Sequence, residues 1–431
     1  MLDEKTLEAL VIQLTDADPA RAAAARDRLS AAGADAAGPL ITALRETALR
    51  DRLNPRSDPA TAALIDALQR LGDAAVAPLA AAMPDAVAAD RARGADLRRE
   101  LPWRIGNEAY VLEVALRGLR VDDDAIWLPL LRNSERVLRY RAVCALATPR
   151  AAAAPLVDAI LPLVTDPDAA VANQAIATLG ELGTVARERL RALSRTGDAG
   201  RALAVLAALG EWPALTAAER ELVRGWVADR VAVEEPEPLA EPNGEFLGEW
   251  FAVSTGDRDA VVAALGLHEP MPVTLRVGWD RTSAGSGRVF VTPELNGWTL
   301  IFGHALPDRE FGTLTTFLAE LSGRFGAAQY FYNDYGAEGW ALAEKGELSR
   351  LYIAGDTPDA DTVIGPPHPA EVLASADLPE DDEPDGRPLC CAQGVAECAS
   401  LDPAEIGPET EVRGYGLLAG VAAGWHDSLR N

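Results

Sequence analysis

The sequence predicts an α-solenoid of stacked helical hairpins followed by an α+β domain with an antiparallel sheet. Three observations carry this reading. A leucine-glycine-leucine spacing recurs in the first half, charge and aromatic content shift near residue 236, and a Pro/Glu-rich run separates the halves. A chain of 431 residues is too long for one ordinary core, so two domains are expected.

The repeat is explicit. Leu29, Gly33, Pro39 and Leu40 recur with the same spacing as Leu68, Gly72, Pro78 and Leu79, 39 residues further on. A third copy reads Leu179, Gly183, Arg189, Leu190 after Asp166-Pro167-Asp168, and a looser one runs from Ser134 to Pro155-Leu156. Each unit has a physical logic. Asp or Ser near a proline caps a first helix, whose leading amides need an acceptor. Ala and Leu at three- and four-residue spacing then build one apolar stripe. Glycine closes that helix because a left-handed residue costs it little. Pro-Leu is expected in the first turn of the second helix. One such hairpin cannot bury both faces, so neighbours must stack. Residues 85–108, with Arg91, Arg93, Arg98, Arg99 and Pro102-Trp103, break the rhythm and predict an irregular repeat or inserted loop.

These residues resemble the HEAT-like repeat family, including the short variety named after phycobilisome lyases, over about residues 5–232. The resemblance implies a curved solenoid of five or six hairpins that holds protein partners. Some relatives are implicated in chromophore attachment and others in removing alkylated DNA bases, and the repeat does not choose among these.

Residues 1–235 carry 29 Lys and Arg against 34 Asp and Glu, a net of −5. Residues 236–431 carry 11 against 32, a net of −21. Such a field repels phosphate backbones and anionic lipid and favours basic partners, although solubility alone also accounts for it. Only 6 of the 24 aromatic residues precede residue 236, as expected if a sheet core begins beyond it. The run Val233–Pro242 favours extended backbone. It sets the expected division: a solenoid at 1–235, a linker at 236–244 and an acidic domain at 245–431.

In the second domain, Asp257–Leu267 reads as a short helix and residues 309–325 as a longer one. Val273–Val277, Arg288–Thr292, Trp298–Gly303, Gln329–Asn333, Trp340–Glu344 and Leu348–Ile353 read as strands, with Lys345-Gly346 as a hairpin turn. His368–Ala376 and Val412–Trp425 read as helices, and 377–388 as a flexible acidic loop. The order suggests one antiparallel sheet with a helix packed on it.

Chemical motifs are sparse. The sequence has no GxxxxGK[ST], HExxH or GxSxG, and Gly285-Ser286-Gly287 leads into no helix. No cofactor or metal is expected. Cys390, Cys391 and Cys398 lack CxxC spacing, so buried or loop thiols are the simpler reading than a zinc site completed by His368 or His426. Asp356, Asp359 and Asp361, like Asp122, Asp123 and Asp124, lack the glycine turn and ligand order of a calcium loop. Two arginine groups, Arg132, Arg136, Arg139 and Arg141, then Arg187, Arg189, Arg191 and Arg195, are expected to pair with local acids rather than line a nucleic-acid groove.

The leading expectation is a non-catalytic binding or regulatory protein with a basic protein partner, in its sharpest form an inhibitor or immunity protein against a basic toxin or nuclease. Tyr330, Tyr332, Tyr335 and Trp340 are its candidate anchors, weighed against ordinary packing. The rival is a nucleic-acid enzyme in which Trp103 or Trp127 stacks on a base beside an Asp. A purely structural scaffold is the third reading. Four cysteines and an acidic start without a signal pattern suggest a reducing cytoplasm.

Overall fold

The computed structural model describes residues 2–16, 18–50, 58–92, 108–147, 154–196, 199–239, 248–282, 287–307, 313–334, 337–375 and 387–421. They fall into two compact units, Met1–Leu193 and Ser194–Asn431. Among the described residues no helix is long and apolar enough to cross a membrane.

The first unit is helical: α1 (Glu4–Leu14), α2 (Pro19–Ala32), α3 (Ala34–Arg50), α4 (Pro59–Arg70), α5 (Asp73–Ala92), α6 (Glu108–Arg117), α7 (Arg136–Ala145), α8 (Ala154–Ile160), α9 (Ala169–Glu181) and α10 (Gly183–Leu193). Asp18, Asp58 and Asp168 cap α2, α4 and α9 through their side chains, the first two just ahead of a proline. Gly33, Gly72 and Gly183 all take positive φ where one helix passes into the next. The repeat leucines Leu29, Leu68, Leu179, Leu40, Leu79 and Leu190 are fully buried. Alternate helices pack together, α3 on α5, α4 on α6, α7 on α9 and α8 on α10. One detail departs from the sequence reading. Pro39 and Pro78 lie inside α3 and α5, because the glycine leads straight into a helix that begins several residues earlier. Most of the irregular stretch 85–108 lies outside the described residues, though α5 runs through Ala92.

The second unit opens with α11 (Ala199–Leu206) and α12 (Ala217–Val231), the latter fixed by a capping box between Thr216 and Glu219. The sequence reading places both in the solenoid, with a boundary at 236–244. Here they sit with the sheet, and the proline run is anchored: Leu239 is fully buried and its N–H donates to Pro403 O at 2.9 Å.

The strands are β1 (Gly248–Val253), β2 (His268–Val273), β3 (Arg288–Leu295), β4 (Trp298–Phe302), β5 (Ala327–Asp334), β6 (Ala337–Glu344), β7 (Glu347–Ile353), β8 (Thr362–Ile364), β9 (Val412–Arg413) and β10 (Gly416–Gly420). They form one antiparallel sheet in the order β2-β10-β3-β4-β1-β5-β6-β7-β8, with β9 paired to β3. Lys345-Gly346 joins β6 to β7 with both φ positive, and Asn296-Gly297 does the same between β3 and β4.

Helices cover both faces. On one, α13 (Arg258–Ala264) and α15 (Leu314–Phe325) pack over Phe251, Val291, Ile301, Tyr330 and Leu351. On the other lie Trp250, Phe290, Phe331, Trp340 and Tyr352, under α14 (Leu275–Asp280), α16 (Pro369–Ser375) and α17 (Ala392–Ala399). Two expected elements are corrected. The strand expected at Val273–Val277 stops at Val273, the end of β2, because Thr274 caps α14 by accepting from the Val277 N–H. The expected helix at Val412–Trp425 is instead β9 and β10 as far as it is described. Leu417 and Leu418 bury on opposite sheet faces, and Gly416 leaves room for the Phe290 ring, so tertiary pairing overrides the helical pattern.

Candidate functional site

Two of the four expected anchors, Tyr330 and Trp340, lie in the core. Tyr330 is fully buried, tilted against Phe251 at 5.1 Å, and its hydroxyl donates to Glu249 Oε2 at 2.9 Å. Trp340 is fully buried on the opposite face, 4.6 Å from the Tyr352 ring. Tyr332 is half-buried and reaches Asp334 at 3.3 Å, and Tyr335 lies outside the described residues. The physical reason is position. Strand β5 runs between β1 and β6, so helices cover its side chains on both faces.

The buried face under α16 instead holds a polar network. Glu371 accepts from Trp340 Nε1 at 3.0 Å and from the His368 N–H at 3.2 Å. Arg350 Nε and Nη2 donate to its two oxygens at 2.7 and 2.9 Å, and Arg350 Nη1 donates to Gly365 O. Nearby, Asp361 accepts from the Gly355 N–H, the Tyr352 hydroxyl and two Arg387 nitrogens. Burial opposes it, yet these donors hold the Asp361 carboxyl below its usual range, while burial and the Asp361 hydrogen bond push the Tyr352 hydroxyl up. Asp361 is therefore a structural acceptor, whereas Asp356 and Asp359 are solvated. Burial pushes the Cys390 thiol up to about 11, which leaves little thiolate. Cys391 caps α17, and Cys398 is exposed. Among the described residues no three His, Cys, Asp or Glu side chains gather as metal ligands.

These two clamps hold a strand whose own side chains face solvent. β8 pairs with β7 through Leu351–Ile364, Tyr352–Val363 and Ile353–Thr362, and ends the described sheet. All three of its residues are exposed, with Val363 at 54% and Ile364 at 46%. Val372 and Leu373 on α16 are each 63% exposed, although Ala370 and Glu371 of the same helix are buried. Val363 and Ile364, paired with Tyr352 and Leu351, therefore point to opposite faces of an exposed sheet edge, in the half of the chain with net charge −21. The sequence carries a signal for it: the β-branched run Thr362-Val363-Ile364 lies between Pro358 and Gly365-Pro366-Pro367.

The first unit contains a separate cavity of about 220 Å³. Leu116, Leu119, Val121 and Trp127 give its apolar lining, and Arg117, Asp124, Arg141 and Cys144 its polar lining. Asp124 and Trp127 belong to a 3-10 segment, Asp124–Arg132, capped by Asp123, and both are more than nine-tenths buried. Arg141 and Arg117 both donate to Glu113 Oε1. Burial raises the Cys144 thiol above its ordinary range against the opposing pull of Arg141. Trp103 lies outside the described residues. Several arginines of the first unit are ion-paired with acids: Arg139 with Asp166 through two bonds, Arg136 with Asp168, and Arg189 with Asp158. No protein-family model matches the chain, and no curated protein matches it.

Proposed function

We propose that this is a non-catalytic protein-binding module in which an acidic sheet unit accepts a basic, extended partner segment along β8. The observation that carries the reading is the exposed pair Val363 and Ile364, one on each face of the edge strand β8, within strongly acidic sequence. An edge strand offers unpaired backbone donors and acceptors, so a partner strand adds by ladder hydrogen bonds. Apolar side chains of the added strand would pack beside Val363 on one face and Ile364 on the other, and its lysines or arginines would answer the field. Six acids between Asp377 and Asp385 follow α16 directly in sequence and add to that field.

The first unit fits a HEAT-like solenoid in this reading. Supporting it are the equivalent positive-φ glycines Gly33, Gly72 and Gly183 and the packing of alternate helices. An inhibitor or immunity protein against a basic toxin or nuclease is the most specific form of the proposal. A cytoplasmic address belongs to the same proposal. A second reading, action on a nucleic-acid base, draws on Trp127 and Asp124 meeting at one cavity. The paired arginines weaken it, since a phosphate groove needs a local positive excess.

The test uses a fluorescent peptide of alternating Lys and Val as the probe and the full chain as the receptor. Binding is expected to weaken as salt rises and to be lost in a Val363→Asp/Ile364→Asp variant. Equal binding by that variant would remove β8 as the site. Preferential binding of a Glu-Val peptide would remove the charge argument. Self-association of the chain in place of peptide binding would make a second copy the occupant.

A further inference from the structure

We infer that Cys391 and Cys398 make α17 a redox-sensitive docking face for a second copy of this chain, with Cys391 of each copy bonded to Cys398 of the other. Both thiols are free and exposed. They stand seven residues apart, Cys391 as the cap of α17 and Cys398 in its last turn. Seven residues is nearly two helical turns, so both lie on one stripe. That stripe faces outward, whereas Ala392, Val395 and Ala396 are buried on the side that packs on β5 and β6.

Neither thiol is placed to pair with the other or with Cys390. At the helical rise their Cα atoms lie about 10 Å apart, beyond the roughly 7 Å that a disulfide spans. Cys390 is buried, and its Cα is only about 3.8 Å from that of Cys391, closer than a disulfide prefers. A two-fold axis solves the geometry. Two copies of α17 packed antiparallel about Gly394 set Cys391 opposite the partner's Cys398 at two places at once, an isologous contact. Helix axes about 9–10 Å apart bring facing Cα atoms within the roughly 4.4–6.8 Å of a disulfide. Gly394 sits mid-stripe with no side chain to hold the helices further apart. Beside it, α16 adds Val372 and Leu373, each 63% exposed, as apolar surface. Charge also favours this face. The only charged residues of α16 and α17 are Glu371, which is buried, and Glu397. Two copies therefore meet with one exposed carboxylate each, in a half of the chain whose net charge of −21 makes its other surfaces repel.

The oxidant is a small disulfide, with oxidised glutathione as the probe. The Cys391 thiolate attacks one of its sulfurs and releases one glutathione thiolate, which takes up a proton. The partner's Cys398 thiolate then attacks the Cys391 sulfur of the mixed disulfide and releases the second. Each protein disulfide thus oxidises two thiols and reduces one glutathione disulfide to two thiols. Excess reduced glutathione reverses the link, as suits a transient response in a reducing compartment.

The experiment incubates the full chain with oxidised glutathione and reads its mass under non-reducing, denaturing conditions. A covalent dimer that dithiothreitol dissolves is expected, and cleavage after Glu397 should yield the Cys391 peptide joined to the Cys398 peptide. Cys391→Ser and Cys398→Ser should keep the fold, because serine caps a helix well and Cys398 is exposed. Each variant alone should lose the dimer, since like positions lie at least about 10 Å apart across the axis. An equal mixture of the two should regain it through a single disulfide. The inference is overturned if either variant alone links as fast as the parent, or if the mixture fails to link. A dimer joined through Cys144, or a monomer carrying glutathione on both exposed thiols, overturns it as well.

Discussion

Arg350 and Glu371 form a doubly hydrogen-bonded ion pair at 2.7 and 2.9 Å, with each residue only 4% exposed. It ties β7 to α16 across the segment that contains β8. Removing one partner strands the other as a buried charge, a loss of about 3–5 kcal/mol in comparable pairs. Glu371→Ala should therefore lower the urea midpoint strongly. Replacing both partners with apolar residues, as in Arg350→Met/Glu371→Leu, should recover most of that loss. A single-variant cost below about 1 kcal/mol would show that water reaches the pair.

The repeat glycines allow a second comparison. Gly72 and Gly183 share a φ near +60°, but their surroundings differ. A Cβ at Gly72 would stand 2.9 Å from Arg120 O, whereas at Gly183 it would meet nothing within 4 Å. Both alanine variants incur the left-handed penalty of about 1–2 kcal/mol. Gly72→Ala should be the more destabilising because backbone must also shift. Equal thermal midpoints for the two variants would contradict this.

Much of this was legible in sequence because it depends on local chemistry. Gly33, Gly72 and Gly183 need a left-handed turn, Asp18 and Asp58 need amides to cap, and Lys345-Gly346 needs a tight hairpin. Each signal lies within a few residues. What sequence missed depends on distant partners. Tyr330 looks like a surface tyrosine until Glu249 satisfies its hydroxyl and β1 and β6 flank its strand. The segment at 416–420 reads as helix until its strand neighbours β2 and β3 supply a ladder. The α11–α12 hairpin is Ala- and Leu-rich like the helices before it, so only its contacts group it with the sheet. The exposed edge strand β8 was missed because exposure is invisible in a short β-branched run. Thr362-Val363-Ile364 would read the same in a buried strand.

Asp402 gives a pH-dependent expectation. Burial pushes its carboxyl up to about 6, against the Ala404 N–H that it accepts from, and Glu405 and Glu397 add repulsion. An unfolded Asp titrates near about 3.9. Between these values the native state holds more protons than the unfolded chain, so this residue's contribution falls as pH rises from about 4 to about 6, then levels off. Asp402→Asn keeps an oxygen to cap Ala404 but does not titrate. The stability of the variant relative to the parent should improve across that window and stay constant above it. A constant difference from about pH 4 to about pH 7, followed by urea denaturation, would refute the shift.

The last expectation separates packing from binding within one sheet. Trp340 is fully buried and donates to Glu371, so Trp340→Ala should cost about 3–5 kcal/mol through the cavity it leaves and one lost hydrogen bond to Glu371. Val363 and Ile364 sit on the outermost described strand, about half exposed, and their side chains add little to the core. Val363→Lys and Ile364→Lys should therefore change stability by no more than about 0.5 kcal/mol. Their effect on binding should be large. Each puts a cation where a basic partner strand would lie and removes an exposed apolar side chain from the edge strand. The dissociation rate of the Lys-Val peptide should rise because the apolar anchor is lost, and its association rate should fall modestly because one like charge weakens steering. If the lysine variants unfold with Trp340→Ala, β8 is part of the core and the docking edge lies elsewhere. If they fold normally and bind the peptide unchanged, the acidic field captures it without this strand.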